Sequence, residues 1–124
     1  MKRTTLCLLF VFLMSTQLFA DNHQQSIKLE HKGGGRDGNP LCFDMPLVYY
    51  CYNPKTQDII IDGNGVVSYY DVEISSATTN TVEMTTQVNG IYDTFDISTL
   101  PSGSHVITIE SPSGNIYEGT FTKY

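Results

Sequence analysis

The fold is decided by the ten residues Val66–Ser75, which read VVSYYDVEIS. From Tyr70 to Ile74 every second residue is apolar, and the residues between them are the acids Asp71 and Glu73. Successive side chains of a β-strand point to opposite faces of a sheet, so this alternation is typical of a strand with one buried face. The stretch therefore predicts a strand whose apolar residues point into a core.

Similar runs lie on both sides of this strand, separated by clusters of Gly, Pro, Asn and Ser. They predict further strands at Ser26–His31, Leu47–Tyr52, Asp58–Asp62, Thr81–Val88, Tyr92–Ile97, His105–Glu110 and Asn115–Thr122. Helical spacing of apolar residues is absent from these segments, and Gly63–Gly65 predicts a hairpin turn. Seven to eight short strands joined by turns predict an all-β fold, an antiparallel β-sandwich.

The first twenty residues have the features of a targeting segment. Lys2 and Arg3 precede an unbroken apolar run from Leu6 to Met14, and small or polar residues lead to Ala20. This is the pattern of a secretory signal peptide, and the run is too short for the roughly 20 residues that cross a bilayer. We therefore expect a signal peptide at 1–20, a flexible segment at 21–25 and one sandwich domain at 26–124. The domain would be exported, to the periplasm or outside the cell, with no membrane insertion after cleavage.

Composition limits the classes of partner. The chain has 124 residues, with 7 Lys and Arg against 13 Asp and Glu, which leaves room for one domain of ordinary size. Loss of Lys2 and Arg3 with the signal would change the balance from −6 to 5 − 13 = −8. Nucleic acids and anionic membranes attract clustered Lys and Arg, so this charge argues against both as partners.

Two C-terminal segments carry a resemblance to a known family. They are Phe95–Ile109, which contains the turn Leu100–Gly103, and Gly114–Phe121, which reads Tyr-x-Gly-x-Phe at its end. They resemble an uncharacterised family of small secreted immunoglobulin-like domains common in gut Bacteroidales, and the resemblance covers residues 26–124. This C-terminal half is also similar to the sorting domains of the type nine secretion system. The resemblance implies an immunoglobulin-like sandwich and export, and it implies no activity.

No arrangement typical of catalysis is visible. The histidines after the signal are His23, His31 and His105, none near Cys42 or Cys51 in sequence, and Asp93 and Asp96 would lie on opposite faces of one strand. His105 stands where the resembling family has Tyr. We expect it to point inward and to hydrogen-bond to loop backbone in a structural role, so that Tyr would be tolerated there. The sequence predicts a protein that is not an enzyme and has no cofactor.

One segment imitates a calcium loop without satisfying its requirements. Asp62, Asn64 and Glu73 occupy its first, third and twelfth positions. Val66 stands at a ligand position, however, and Val67 stands where the loop needs Gly. The sequence therefore predicts no metal site.

The cysteines allow two interpretations. Cys42 and Cys51 remain after signal removal, and export permits a disulfide. One extended strand across nine steps would separate them by roughly 30 Å, whereas a chain reversal at Met45-Pro46 would bring them together. A Cys42–Cys51 disulfide and two free thiols both stay open.

The tyrosine pairs are the one feature with binding character. In Tyr49-Tyr50 and Tyr69-Tyr70 one ring of each pair must face away from the core, and we expect outward rings at Tyr49 and Tyr69. Exposed Tyr can anchor a protein or stack on a sugar. We therefore hypothesise an exported interaction module for an unknown protein or glycan at the cell envelope. The alternative is a sorting or assembly domain like those of type nine secretion.

Overall fold

A computed structural model of the chain describes residues 23–33, 44–53 and 55–124. All regular elements of these residues are strands: β1 His23–Ile27, β2 Glu30–Gly33, β3 Leu47–Tyr52, β4 Gln57–Asp62, β5 Tyr69–Ser76, β6 Val82–Asn89, β7 Tyr92–Asp96, β8 Gly103–Glu110 and β9 Ile116–Lys123. In these ranges no helix is long and apolar enough to span a bilayer. The predicted signal peptide, Cys42 and most of the glycine-rich connection after Gly33 lie outside the described residues.

The strands form two antiparallel sheets, as the sequence predicts. One sheet has four strands in the order β1-β3-β4-β7, and the other has five in the order β2-β9-β8-β5-β6. The sheets pack face to face around a core of alternate residues from both inner faces. Tyr70, Val72 and Ile74 are in this core, which confirms the inward face predicted for the deciding stretch.

The predicted first strand is two strands in different sheets. The chain leaves the four-stranded sheet after Ile27, crosses at Lys28-Leu29, and enters the five-stranded sheet at Glu30. The crossing passes so close to Gly119 that a Cβ there would lie 2.8 Å from the Lys28 carbonyl oxygen. The alternation of Ile27 and Leu29 continues across the break because both residues reach the same core.

Two further expectations need correction. Residues 23–25, predicted to be flexible, belong to β1, where pairing with β3 satisfies their backbone. Gly63–Gly65 is no hairpin turn, since β4 and β5 lie in different sheets and the chain crosses between them there. Gly65 takes a φ of +74° in this crossing, and its N–H donates to the Gly90 carbonyl at 3.0 Å. The strand predicted from Val66 consequently begins at Tyr69.

Candidate functional site

The two tyrosines predicted to face outward lie on opposite sides of the molecule. Tyr49 is on β3 of the four-stranded sheet and Tyr69 is on β5 of the five-stranded sheet. Both are half-buried, while their neighbours Tyr50 and Tyr70 are fully buried in the core. The outward orientation is as expected, but the two rings cannot form one binding surface.

The surroundings of Tyr49 are apolar. On the outer side of the four-stranded sheet, Leu47 of β3, Asp62 of β4 and Tyr92 of β7 stand in one row across three strands. The next row holds Tyr49 beside Ile60. Leu47 and Tyr92 expose 56% and 55% of their surface to solvent. Large apolar side chains thus project into water from β3 and β7, on either side of the Asp62 carboxylate of β4.

The exposed apolar side chains of this outer side lie close together. We use the term apolar face for the outer surface formed by Leu47, Tyr49, Ile60 and Tyr92. Ile91, directly before Tyr92 in the connection from β6 to β7, is also 69% exposed. Several exposed apolar side chains on one face are typical of an interaction site.

The charges on this side of the protein have one sign. The charged residues at outward positions of β1, β3, β4 and β7 are Asp58, Asp62 and Asp96. Hydrogen bonds from the backbone N–H and hydroxyl of Ser98 lower the pKa of the Asp96 carboxyl. The outward positions of β1, β3, β4 and β7 therefore carry carboxylates beside the apolar face, and none of these positions carries Lys or Arg.

The outer side of the other sheet is polar. Around Tyr69, the outward residues of β5, β6 and β8 are mainly acids, Thr and Gln, and a shallow groove there is lined in part by Asp71, Glu73 and Glu110. Within the described ranges no group of three or more His, Cys, Asp or Glu side chains is placed to hold a metal ion. Tyr69 thus stands in an acidic, hydrated environment quite unlike that of Tyr49.

A buried carboxylate is the centre of a hydrogen-bond network that sequence analysis missed. Asp44 is 2% exposed. Its oxygens accept hydrogen bonds from Ser113 Oγ at 2.8 Å, from Asn115 Nδ2 at 3.1 and 3.3 Å, and from the Tyr117 hydroxyl. Its backbone carbonyl accepts from the Tyr70 hydroxyl at 2.7 Å. The network joins the segment just before β3, which contains Asp44, to the loop between β8 and β9.

The electrostatics of this network fit a structural role. Burial raises the pKa of Asp44, but hydrogen bonds from Tyr117, Asn115, Ser113 and Ser111 together outweigh it and lower the pKa below its ordinary value. Such a carboxylate stays ionised and is a weak base. Burial, together with the nearby Asp44 charge, raises the pKa of Tyr70 to about 12.

His31 is attached to the same network through Asn115. Its Nε2 lies 3.2 Å from Asn115 Oδ1. Because Asn115 Oδ1 can only accept, His31 Nε2 is the donor. The described contacts of the Ser113 hydroxyl are with Asp44, Ser111 and Asn115.

His105 is buried near the end of the sandwich, and its hydrogen bond to loop backbone is confirmed. Its Nε2 donates to the Pro101 carbonyl at 2.7 Å, and the residue is 2% exposed. Its Nδ1 lies 2.8 Å from Glu83 Oε1, a partner that the sequence did not indicate. Two bare acceptors at this distance would repel each other in a dry site, so the pair shares one proton.

A β-bulge explains how Glu83 reaches the interior. Ile74 pairs with Met84 but Ser75 pairs with Val82, so Glu83 is an extra residue in β6. Bulges redirect side chains, and here both Glu83 and Met84 are half-buried. Simple alternation would place Glu83 outside, which is why sequence analysis overlooked it.

Cys51 has a free thiol in this structure and is half-buried on the outer side of β3. Burial, with a smaller contribution from Asp58, raises the pKa of the thiol. Since Cys42 is outside the described residues, both interpretations of the cysteines, a disulfide and two free thiols, stay open.

An aromatic cluster lies at the end of the four-stranded sheet where β1 begins and β3 ends. Tyr52 stacks on His23 with ring centroids 4.8 Å apart and lies 5.3 Å from Tyr50 and 4.9 Å from Tyr124. The Tyr50 hydroxyl accepts from the Tyr124 N–H at 3.1 Å and donates to Gln57 Oε1 at 2.5 Å. These contacts satisfy the polar atom of a fully buried ring, so the cluster stabilises the fold.

Comparison with solved structures defines the class of the protein. The chain is similar to a DUF3244 family protein from Bacteroides vulgatus with an immunoglobulin-like β-sandwich fold. The two share 14% identity with a TM-score of 0.60, over 82% of this chain and 100% of the other. This similarity establishes an immunoglobulin-like β-sandwich, a fold that is not typically enzymatic.

Other comparisons add no family. A scan against known protein families matches none, and a search of curated proteins finds no similar protein. The expected family of immunoglobulin-like domains from Bacteroidales thus has support at the level of fold. The similarity to type nine sorting domains stays a prediction from the sequence.

Proposed function

We propose that the chain is an exported, non-enzymatic interaction module that binds a protein at the cell envelope through its apolar face. The observation that carries the proposal is the row of Leu47, Asp62 and Tyr92, in which two large exposed apolar side chains, on β3 and β7, flank the carboxylate of β4. Burial of such surface contributes roughly 25 cal/mol per Å², so a partner that covers it gains affinity.

The charges indicate the chemistry of the partner. Asp58, Asp62 and Asp96 accompany the apolar face, and an interface is favoured when potentials are complementary. A protein surface that presents apolar side chains together with Lys or Arg fits this arrangement. A glycan fits less well, because several of the exposed side chains are aliphatic and the chain has no Trp.

A non-enzymatic role agrees with the polar residues of the interior. The Asp44 carboxylate is already occupied by three side-chain donors, and its lowered pKa makes it a weak base. His105 Nε2 donates to the Pro101 carbonyl, and its Nδ1 lies against Glu83 Oε1 at 2.8 Å in a buried site.

Site-specific photo-crosslinking tests the proposal. A photoreactive residue in place of Thr94, exposed on β7 beside Ile60, should crosslink one protein in envelope preparations. The same residue at Thr120, exposed on the outer side of β9, is the matched control and should not. The purified partner should then bind the protein directly, and Tyr49→Ala should weaken binding while Tyr69→Ala leaves it unchanged.

Two results would refute the proposal. Equal crosslinking from both positions would show that the apolar face has no special role. Selective binding on a glycan array that Tyr49→Ala abolishes, without any crosslinked protein, would mean that the ligand is a sugar.

A further inference from the structure

Strand β6 is an edge of the five-stranded sheet. Its eight residues, Val82–Asn89, pair with β5 on one side, and no described strand lies on the other. The unpaired backbone groups of an edge strand are a template for another strand unless the protein protects them. We call this open side the β6 edge.

The hydrogen bonds at the end of β6 show which backbone groups form the β6 edge. The Gly90 N–H donates at 3.0 Å to a carbonyl just before β5. The Asn89 N–H instead donates to Asp93 Oδ2 at 3.1 Å, away from β5. Backbone groups alternate along a strand, so those of Thr85 and Gln87 also point away from β5. In the described part of the chain these outward groups have no hydrogen-bond partner.

The other three edge strands, β1, β2 and β7, have features that protect an edge from pairing, whereas β6 has such features only at its ends. β1 and β7 have five residues each, β2 has four with a register shift, and β7 carries two Asp residues. In β6 the bulge at Glu83 guards one end and Asp93 guards the other. Between them, Met84–Val88 contains no charge and no Pro.

The core is also incomplete along this side. Met84 of β6 and Phe95 of β7 are only partly buried, although both pack against the core. β6 and β7 are the edges of their respective sheets and contact each other. A further strand beside β6 would place its inward side chains next to these residues and cover them.

We propose that the β6 edge takes up an extended segment of a partner protein as a sixth strand of the five-stranded sheet. Thr85 and Gln87 would supply the main-chain hydrogen bonds, as in other cases of strand addition. The segment would carry Lys or Arg beside a short uncharged stretch, because Asp93 lies at one end of the edge and Asp71 and Glu73 are exposed on the neighbouring strand β5. A second copy is a poorer occupant, since each chain has a net charge of −6 and two copies repel each other.

The inference does not rest on the apolar face, which belongs to the other sheet. It is tested with a synthetic peptide, Lys-Thr-Val-Thr-Val-Thr-Lys, and with amide hydrogen exchange of the purified protein resolved by NMR. In the free protein, Thr85 and Gln87 should exchange fast, while Thr86 and Val88, bonded to β5, exchange slowly. The peptide should slow exchange at Thr85 and Gln87 and leave the other two unchanged.

Matched peptides and two variants define the contacts. N-methylation of every second residue of the peptide removes the N–H groups along one of its two edges, and it can be placed on the odd or on the even residues. At least one of these two methylated peptides should not bind. Replacing the terminal Lys residues by Glu should weaken binding, and added salt should reduce the difference. Gln87→Pro removes an outward N–H and the exposed side-chain hydrogen bond to Asp71, changes that an edge strand tolerates, and should weaken peptide binding about tenfold, whereas Gln87→Ala, which removes the side-chain bond alone, should not.

The outcomes that overturn the proposal are distinct from these. Peptide binding without protection of Thr85 and Gln87 would place the site elsewhere, and absence of binding at millimolar peptide would refute it. If both amides are already protected in the free protein and sedimentation shows a dimer, a second copy occupies the edge. N-methylated peptides that keep full affinity would exclude main-chain pairing without any variant that might misfold.

Discussion

Asp44→Asn should destabilise the protein more than an Asp→Asn or Glu→Gln substitution at any other position. The three side-chain donors, Ser113, Asn115 and Tyr117, now bond to a charge in a site that is 2% exposed. A hydrogen bond to a charged group contributes roughly 1.5–3 kcal/mol and a neutral one roughly 0.5–1.5 kcal/mol. A loss of about 1 kcal/mol for each donor gives about 3 kcal/mol for Asp44→Asn.

The assay is urea unfolding followed by tyrosine fluorescence and circular dichroism at pH 7. For a domain of this size about 3 kcal/mol corresponds to a fall in Tm of roughly 12–24 °C. Asp71→Asn is the matched control, because Asp71 is exposed and accepts one hydrogen bond, from Gln87 Nε2 at 3.0 Å. Its free energy of unfolding should stay within about 0.5 kcal/mol of the wild-type value.

The pH dependence gives the same prediction a second readout. The folded pKa of Asp44 is lowered, so the stabilisation that it provides is complete above the unfolded pKa, about 3.9, and is lost as pH falls through the folded pKa. The stability difference between the wild type and Asp44→Asn should therefore shrink below pH 4. A difference under 1 kcal/mol at pH 7, or one that stays constant into acid, would refute this account of the network.

Four other changes test separate features. His105→Ala should cost about 3 kcal/mol in chemical denaturation, because it leaves a cavity and an unpaired Glu83, and a double variant with Glu83→Gln should recover part of the loss. Full additivity would show that the two side chains are not coupled. His105→Tyr should be destabilising now that Glu83 is known to face the ring, and a melting point at or above that of the wild type would contradict this. Gly119→Ala should cost about 1–3 kcal/mol, since the new Cβ meets the Lys28 carbonyl, while Thr120→Ala beside it should be neutral; equal melting points would disprove the close contact. Cys51 should react with iodoacetamide at pH 8 more slowly in the native protein than in urea, because its pKa is raised and its thiol half-buried, and equal rates would oppose this.

The sequence is informative where a local rule decides the structure. The alternation in Tyr70, Val72 and Ile74 predicts the inner face of β5 because a strand has a strict period of two. It also predicts that Tyr49 and Tyr69 face outward. It does not predict that they belong to different sheets, because that depends on pairing between distant strands.

The features that sequence analysis missed depend on contacts between distant residues or on irregular backbone. Asp44 finds its partners 69–73 positions later in the chain, which no local pattern records. The bulge in β6 reverses the alternation at Glu83, so a regular strand pattern assigns that side chain to solvent. At Lys28-Leu29 the apolar alternation continues while the chain changes sheets, which makes one apparent strand of two.

The path of the chain between the sheets has a consequence for how the domain unfolds. Five of the eight connections, β1–β2, β2–β3, β4–β5, β6–β7 and β7–β8, pass from one sheet to the other. Neither sheet can come apart on its own, because its strands are covalently continuous with strands of its partner on both sides of the core. The domain should therefore lose both sheets in one cooperative transition, with coincident curves from tyrosine fluorescence and far-ultraviolet circular dichroism. Because four of the seven strand pairings, β1–β3, β2–β9, β4–β7 and β5–β8, join strands that are not consecutive in the chain, we expect the sandwich to close late in folding.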